Sequence, residues 1–283
     1  MVFCNPFEKK GNWYKGNLHI HTTNSDGRFA PEEICKLYKE EGYDFLAITD
    51  HNKITNVFEK PDDLLLIPSA EMGNERAHIV GIGMQEVFEQ KGMNDQEIID
   101  ELVKQNALVI IAHPYWNALT ASDLISLKNY IGIEIYNNVC HIAKGKGFST
   151  VHFDEILQTG KEILGFASDD THGKRALFGS FIMVKAEELT TKSIMEAIKL
   201  GCFYSSTGVL IDSLEIIEST IHISFSPALT IDFIGYGYMG RRDAAENKEI
   251  KEAEYRIKGT EKYLRIEITD KDNKKAWVNP IFL

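Results

Sequence analysis

The sequence is poor in cysteine and has no long apolar run. Its four cysteines, Cys4, Cys35, Cys140 and Cys202, are scattered, with no CxxC pair and no zinc-finger spacing. That excludes a disulfide-stapled small fold and an all-thiolate metal site. It predicts four reduced, packed thiols in a cytoplasmic protein. No stretch of about 18 apolar residues occurs, so no membrane-spanning helix is expected. The first ten residues carry no basic segment followed by an apolar core, so they do not read as a signal peptide. Positive charge is also short. Across 283 residues, 31 Lys and Arg stand against 42 Asp and Glu, a formal charge of −11. Long nucleic acids and anionic membranes need a basic footprint, so neither is an expected partner. Internal repeats and low-complexity tracts are absent. With 43% hydrophobic and 26% charged residues, the chain is globular rather than disordered.

Short apolar runs bounded by Gly, Pro, Asn or Asp alternate with helical patterns over the first two hundred residues. Segments 17–22, 45–51, 64–72, 77–84, 107–114, 132–137 and 162–170 predict strands. Helices are predicted at 31–42, 94–106, 148–159 and 190–200. The first has Pro31 at its start, Glu32 and Glu33 behind it, and Ile34, Leu37 and Tyr38 on one face. This alternation means a mostly parallel α/β sheet, open or closed, and seven or more strands favour a barrel. After Gly208 the pattern changes to period two, as in Thr220-Ile-His-Ile-Ser-Phe and Tyr263-Leu-Arg-Ile-Glu-Ile. That is the mark of antiparallel sheet with one wet face. The expected organisation is therefore an α/β unit at 1–208 and a small antiparallel β domain at 209–283. The β part carries 11 basic and 13 acidic residues, so the α/β part holds −9 of the −11. The stretch 247–254 reads as a solvated linker or loop, and Gly235-Tyr-Gly-Tyr-Met-Gly240 as a hairpin or bulge.

Six of the nine histidines sit at the ends of predicted α/β strands. In His19-Ile20-His21 the two imidazoles are at i and i+2 of a strand, so they share a face and can reach one ion. Further ligand types fall at equivalent places: Asp26 after the first strand, His51 ending the second, Glu71 ending the third, His113 before Pro114, and Asp170 and His172 in Asp169-Asp170-Thr-His172. In parallel α/β folds, strand C-terminal ends form the rim on which sites are built. His78 breaks the pattern because it starts a strand. Mixed His and carboxylate ligands suit zinc, manganese or iron.

This ordered set resembles the PHP (polymerase and histidinol phosphatase) domain over residues 13–208. Its elements are HxH, Ser25-Asp26-Gly27, Ile48-Thr-Asp-His51-Asn, the strand ending in Glu71, His113-Pro, and Ser168-Asp-Asp170-Thr-His172. Trp13-Tyr14-Lys-Gly-Asn-Leu-His19, Phe153-Asp-Glu-Ile-Leu-Gln-Thr-Gly and Ala276-Trp277-Val-Asn-Pro-Ile-Phe are similar to its carbaryl hydrolase-like (CehA/McbA) branch. The resemblance implies a distorted (β/α)7 barrel, followed here by the small all-β C-terminal domain. It implies two or three divalent metal ions (zinc, manganese or iron) held by His19, His21, Asp26, His51, Glu71, His78, His113, Asp170 and His172, with Glu71 bridging. The implied activity is hydrolysis of a small phosphorylated metabolite or nucleotide by metal-activated water. The alternative is an ester, amide or carbamate hydrolase using the same ions, and a degenerate non-enzymatic barrel is the third reading.

Beyond the ligands, Arg28, Lys174 and Arg175 are candidates for holding phosphate oxygens because they adjoin ligand positions. Asp50 and Glu134 are candidates for supporting the ligands or, for Asp50, for anchoring a loop. His141 and His152 follow a strand end and read as ordinary loop or helix histidines, with a general acid as the alternative. His222 reads as a surface strand residue. Lys144-Gly-Lys-Gly147 lacks the spacing of a phosphate loop. Three ligand carboxylates against two or three divalent ions leave the loaded rim positive, so the overall acidity does not exclude one phosphate. Oligomeric state is not legible.

Overall fold

The computed structural model describes residues 3–73, 76–246 and 248–283. The chain opens with strand β1 (Asn12–Asn17), followed by helix α1 (Pro31–Glu40) and the short strands β2 (Phe45–Leu46) and β3 (Leu65–Leu66). Pro31 starts α1, Glu32 and Glu33 meet its positive end, Lys39 sits in its last turn, and Ile34, Cys35 and Tyr38 are buried. Then come β4 (Ser69–Gly73), β5 (His78–Ile82), α2 (Asp95–Lys104) and β6 (Leu108–Ile111). Asn94 and Glu97 form a reciprocal capping box at the start of α2, which buries Ile98, Ile99 and Leu102.

The next elements are α3 (Ala121–Ser126), β7 (Gly132–Asn137), α4 (Asn138–Lys144), α5 (Thr150–Gln158) and β8 (Leu164–Ser168). Gly145, at φ 68°, closes α4, so the Lys-Gly-Lys-Gly segment is a helix end rather than a phosphate loop. A 3-10 turn at Lys174–Ala176 leads to β9 (Phe181–Ala186), α6 (Thr191–Lys199) and β10 (Phe203–Ser206). The remainder is β: β11 (Ile211–Ile217), β12 (Thr220–Ala228), β13 (Thr230–Gly235), β14 (Gly240–Ala244), β15 (Ile250–Arg256), β16 (Tyr263–Thr269) and β17 (Lys275–Phe282).

The strands form three sheets. One has nine strands in the order β14-β13-β16-β17-β10-β9-β1-β2-β3, one has five (β4 to β8 in sequence order), and one has three (β11-β12-β15). Among the described residues they do not close into a continuous seven-stranded barrel. The nine- and five-stranded sheets meet instead through single bridges, Ile20 to Thr171 and His51 to Glu71. Regular pairing stops at Asn17 and Leu46, so the expected strands 17–22 and 45–51 are mostly irregular backbone. The predicted strand 64–72 splits in two, β3 and β4, in different sheets.

The nine-stranded sheet runs unbroken across residue 208, with β17 pairing antiparallel to β10. Asn279 adds a side-chain stitch, accepting from Gly165 N at 3.0 Å and donating to Phe203 O at 3.1 Å. Arg265 of β16 reaches Asp154 of α5 through two 2.6 Å hydrogen bonds.

Two further expectations are corrected, and one, the hairpin at 235–240, is met. Cys4 and Cys202 form a disulfide, with Cα atoms 5.1 Å apart, so only Cys35 and Cys140 are free thiols. Cys4 and Cys202 lie 198 residues apart in sequence, and the packing of the N-terminal segment against β10 brings them together. The stretch 247–254 carries most of β15 and pairs with β12 through His222–Glu254, Ile223–Ala253 and Ser224–Glu252; Asn247 lies outside the described residues. Its charged residues hid the strand because only Tyr255 in it is buried. Gly235–Gly240 is the turn of the β13–β14 hairpin. No helix among the described residues is long and apolar enough to cross a membrane.

Candidate metal centre

The nine ligand-type side chains arrive from separate segments and converge at one end of the α/β part. His19 and His21 follow β1 by two and four residues, and their Nε2 atoms face each other at 3.1 Å. His51 follows β2, and its backbone bridges to Glu71 in β4. His113 lies two residues past β6, and Asp170 and His172 lie past β8. His78 is the first residue of β5 and still belongs here, because β5 runs antiparallel to both β4 and β6. Its start therefore lies at the end where its neighbours have their ligands. An all-parallel reading could not place it.

Among the described residues, four overlapping groups have ligand atoms within 4.8 Å of one another: His21, Asp26, His51 and His172; His19, Glu71 and His113; His19, His21 and Asp170; and His51, Glu71 and His78. Glu71 is the hub. Its Oε2 lies 3.3 Å from His19 Nε2, 3.2 Å from His21 Nε2 and 3.2 Å from His51 Nδ1. Its Oε1 lies 2.9 Å from His78 Nδ1 and 3.4 Å from His113 Nε2. Asp26 Oδ2 is 3.1 Å from His172 Nε2 and 3.6 Å from His51 Nε2.

Several ring orientations are fixed from behind. His19 Nδ1 lies 2.8 Å from Glu134 Oε1, His113 Nδ1 lies 3.1 Å from Asn117 Oδ1, and His172 Nδ1 lies 2.9 Å from the Asp170 carbonyl. Each partner is an oxygen acceptor, so in each ring Nε2 is left for the cluster. Glu134 Oε2 also accepts from His113 N and from Asn137 Nδ2, both at 2.8 Å, and Ser168 donates to Oε1. Asn137 extends the network to Asp170 Oδ2 at 3.1 Å. No motif marks Asn117 or Asn137; the clue to Asn137 is that a buried Glu134 needs donors, and Asn117 has no such clue.

Asp50 stands outside the cluster. Its carboxylate takes Thr22 N at 2.7 Å, Thr22 Oγ1 at 2.6 Å, Ser25 Oγ at 2.6 Å and the Thr55 hydroxyl. It thereby pins the loop that carries Asp26. Arg28, Lys174 and Arg175 are exposed and line a cleft next to the ligands rather than joining them. His141 packs on Tyr136 and Phe148, His152 reaches Leu119 O, and His222 meets Glu254 at the surface; none joins the cluster.

The electrostatics favour cations. Burial opposes charge on His19, but Asp170, Glu71 and Glu134 outweigh it and raise its pKa well above the usual imidazole value. Burial likewise opposes charge on His21, while the neighbouring Asp170 and Glu71 carboxylates push it up to about 9. Glu71 is buried yet held well below the usual carboxylate range by His19, His113 and His21. His51 moves the other way, lowered by burial and by His21 and His78. Asp170 Oδ1 is buried with no hydrogen-bond donor, although His19, His21 and His172 ring nitrogens surround it at 3.2–3.4 Å. Asp170 and His113 are also held at positive φ, 51° and 30°, a strained conformation for side-chain-bearing residues. An orphaned carboxylate oxygen among imidazole nitrogens, with a mixed N/O donor set, fits divalent cations such as zinc, manganese or iron.

The cluster opens into a cleft of about 320 Å³. Trp116, Val139, Cys140 and Ala143 form its apolar wall, and Lys144 stands at its edge. Trp116 packs on His113 and His78, with centroids 5.1 and 5.9 Å apart.

A cluster of this composition at the edge of two α/β sheets marks the class of metal-binding α/β proteins. The PHP domain matches residues 17–164, just over half of the chain. The chain belongs to the PHP domain family. An uncharacterized protein of Methanocaldococcus jannaschii is 31% identical over 140 residues, 44% of this chain and 81% of that protein. The DNA polymerase/3'-5' exonuclease PolX of Bacillus subtilis is 44% identical over 43 residues, but these are 15% of this chain and 8% of that protein. Among solved structures, a two-domain protein from Bacteroides vulgatus containing a predicted PHP-like metal-dependent phosphoesterase superposes with a TM-score of 0.56 at 16% identity. The match covers 95% of this chain and 94% of that one, so the shared fold includes the sheet-rich C-terminal part.

Proposed function

We propose that this protein is a metal-dependent phosphoesterase acting on a small phosphorylated metabolite or nucleotide. The observation that carries the reading is the hub position of Glu71, whose two oxygens face five imidazoles drawn from different ligand groups. Two or three divalent ions would be held by the nine side chains, with Glu71 shared between ions. Such ions activate water near neutral pH and polarise a phosphoryl oxygen. The chain's own contribution is to orient the donors through Glu134, Asn117 and Asn137 and to exclude bulk water with Trp116, Val139 and Ala143. The cleft volume suits a small substrate.

A second reading is hydrolysis of an ester, amide or carbamate, as in the carbaryl hydrolase-like branch. The apolar wall at Trp116, Val139 and Ala143 favours it, since an uncharged aryl group packs there without a counter-ion. Kinetics with p-nitrophenyl phosphate, aryl carbamates and aryl esters on manganese-, zinc- and iron-loaded protein separate the two. Turnover of the phosphate with inhibition by inorganic phosphate supports the first. Turnover of the carbamate or ester alone contradicts it.

We read residues 1–208 as the metal-binding unit and 209–283 as a β module built onto its sheet. We place the protein in the cytoplasm. Alkylation of unreduced cell extract followed by mass spectrometry tests that placement, because a persistent Cys4–Cys202 bond is rare in a reducing compartment.

A further inference from the structure

Beside the metal cleft lies a second cleft of about 300 Å³. Val139, Ala143 and His172 belong to the walls of both, so the two are separated by side chains rather than by an element of the fold. Three cations converge on it, Arg28, Lys174 and Arg175. Among the described residues none of the three side chains has an ion-pair or hydrogen-bond partner, in a chain with eleven more acids than bases. The remaining lining, Val139, Ile142, Ala143, Gly173 and Ala176, brings no carboxylate.

The segments that carry these cations are fixed. The turn holding Lys174 and Arg175 is tied down by Asn138 Nδ2 donating to Ala176 O at 3.0 Å and by Thr171 Oγ1 at 3.4 Å. Gly179 lets Asn138 approach so closely that a Cβ there would fall 2.0 Å from its side-chain nitrogen. The Arg28 loop is held by Thr23 N to Phe29 O at 2.9 Å, by Gly27 N to Thr22 O at 2.9 Å, and by the Asp50 anchor. Arg28 itself lies along the backbone at Gly173, so the two cationic segments meet. Exposed single ion pairs are weak. Three unpaired cations on rigid supports around one recess act together on an anion, and two arginines offer forked donors to carboxylate or phosphate oxygens.

We infer that this cleft is a second anion subsite, and that the natural substrate carries another anionic group, phosphate or carboxylate, apart from the bond cut at the metals. The inference rests on the phosphoesterase reading for what occupies the metal cleft, and its test uses binding rather than turnover. The probes are propane-, butane-, pentane- and hexane-α,ω-bisphosphonates, the ω-carboxyalkyl phosphonates and the ω-hydroxyalkyl phosphonates of the same lengths. Their C–P bonds resist hydrolysis. Isothermal titration into the manganese-loaded protein measures each.

At one chain length a doubly anionic probe is expected to bind at least about tenfold tighter than its hydroxyl counterpart, beyond the about twofold that two equivalent ends give a bisphosphonate by counting. Comparing the bisphosphonate with the carboxyalkyl series tells which anion the cleft prefers. The combined Arg28→Gln, Lys174→Gln and Arg175→Gln variant should lose the advantage, and Arg175→Lys alone should keep most of it. Equal binding of doubly and singly anionic probes at every length overturns the inference, as does an advantage that survives the triple variant. Hydrolysis of phenyl phosphate, measured separately, decides the phosphoesterase reading whichever way the titrations fall.

Discussion

Glu134 Oε1 and His19 Nδ1 lie 2.8 Å apart, both buried. A carboxylate only accepts, so Nδ1 carries the proton and Nε2 turns toward Glu71 and Asp170. Glu134 also fixes His113 through its backbone N–H and Asp170 through Asn137, so one carboxylate orients three ligand positions. Glu134→Ala should weaken metal affinity about 100-fold and Glu134→Gln about tenfold, the range found when groups behind metal ligands are removed. Competition with a chromogenic chelator measures both. Unchanged affinity in Glu134→Ala contradicts the positioning role.

The metal-stripped protein should lose stability as pH rises. His21 has its pKa raised to about 9, so the proton it binds in the folded state stabilises that state. That contribution is complete below the unfolded value near 6.5 and is lost as pH climbs through about 9. His19 and His113 are raised as well and act in the same direction. Thermal melts of chelated protein from pH 6 to pH 10 should show a falling midpoint. Metal-loaded protein should not follow that fall, and loading at pH 7 should release protons, readable in buffers of different ionisation heat. A midpoint that rises across this window contradicts the sign.

Asp50 is a structural anchor. Its four bonds hold Thr22, Ser25 and Thr55, and through them the Asp26 loop. These hydrogen bonds outweigh burial and keep the Asp50 carboxyl below its usual range. Asp50→Ala strands a buried N–H and three hydroxyls and should cost at least about 2 kcal/mol. Asp50→Asn should cost less, because rotating hydroxyls can bond an amide. Urea denaturation of the two variants checks the order. Equal stability of Asp50→Ala and the parent contradicts the anchor.

Much of this centre was legible because ligand types sit at fixed places relative to strands. His19 and His21 share a side even though regular pairing stops at Asn17, since extended backbone keeps the i, i+2 alternation. His78 looked misplaced only because parallel strands were assumed; the reversal of β5 depends on its pairing with β4 and β6. Helices with strong caps, such as α2 behind Asn94, fell within a residue or two of their expected ends. β9 and β10 are absent from the expected strands, although Gly179 precedes Phe181–Ala186 and Gly201 and Gly208 flank Phe203–Ser206. Their burial comes from the sheet that joins the two halves. The Cys4–Cys202 pair was out of reach because sequence spacing says nothing about contacts 198 residues apart. The same holds for Asn117 and Asn137, whose roles exist only through the groups they touch.

The C-terminal strands are fastened to the metal-binding part by an ion pair between buried Arg265 and half-buried Asp154. Arg265 presents both nitrogens of its fork to Asp154 at 2.6 Å and also reaches Glu267 at 3.3 Å. Arg265→Ala leaves Asp154 without its partner, while Glu267 keeps Lys275 at 2.6 Å, and should destabilise by about 2 kcal/mol. The double change Arg265→Met with Asp154→Leu should recover a good part of that loss, because it removes both charges together. Chemical denaturation of single and double variants tests this. A double variant less stable than Arg265→Ala contradicts the account.

We propose that Glu71 and its eight partners hold divalent ions that the reaction requires. The most direct measurement is metal content by plasma mass spectrometry on the same samples assayed for p-nitrophenyl phosphate hydrolysis, before chelation, after it and after reloading, for the parent and for Glu71→Ala. About two or three ions per chain are expected in the parent, with hydrolysis lost on chelation and restored by manganese, zinc or iron. Fewer ions and at least about a 100-fold loss of rate are expected in Glu71→Ala. Hydrolysis that persists in the chelated parent, or full metal content and rate in Glu71→Ala, would contradict the proposal.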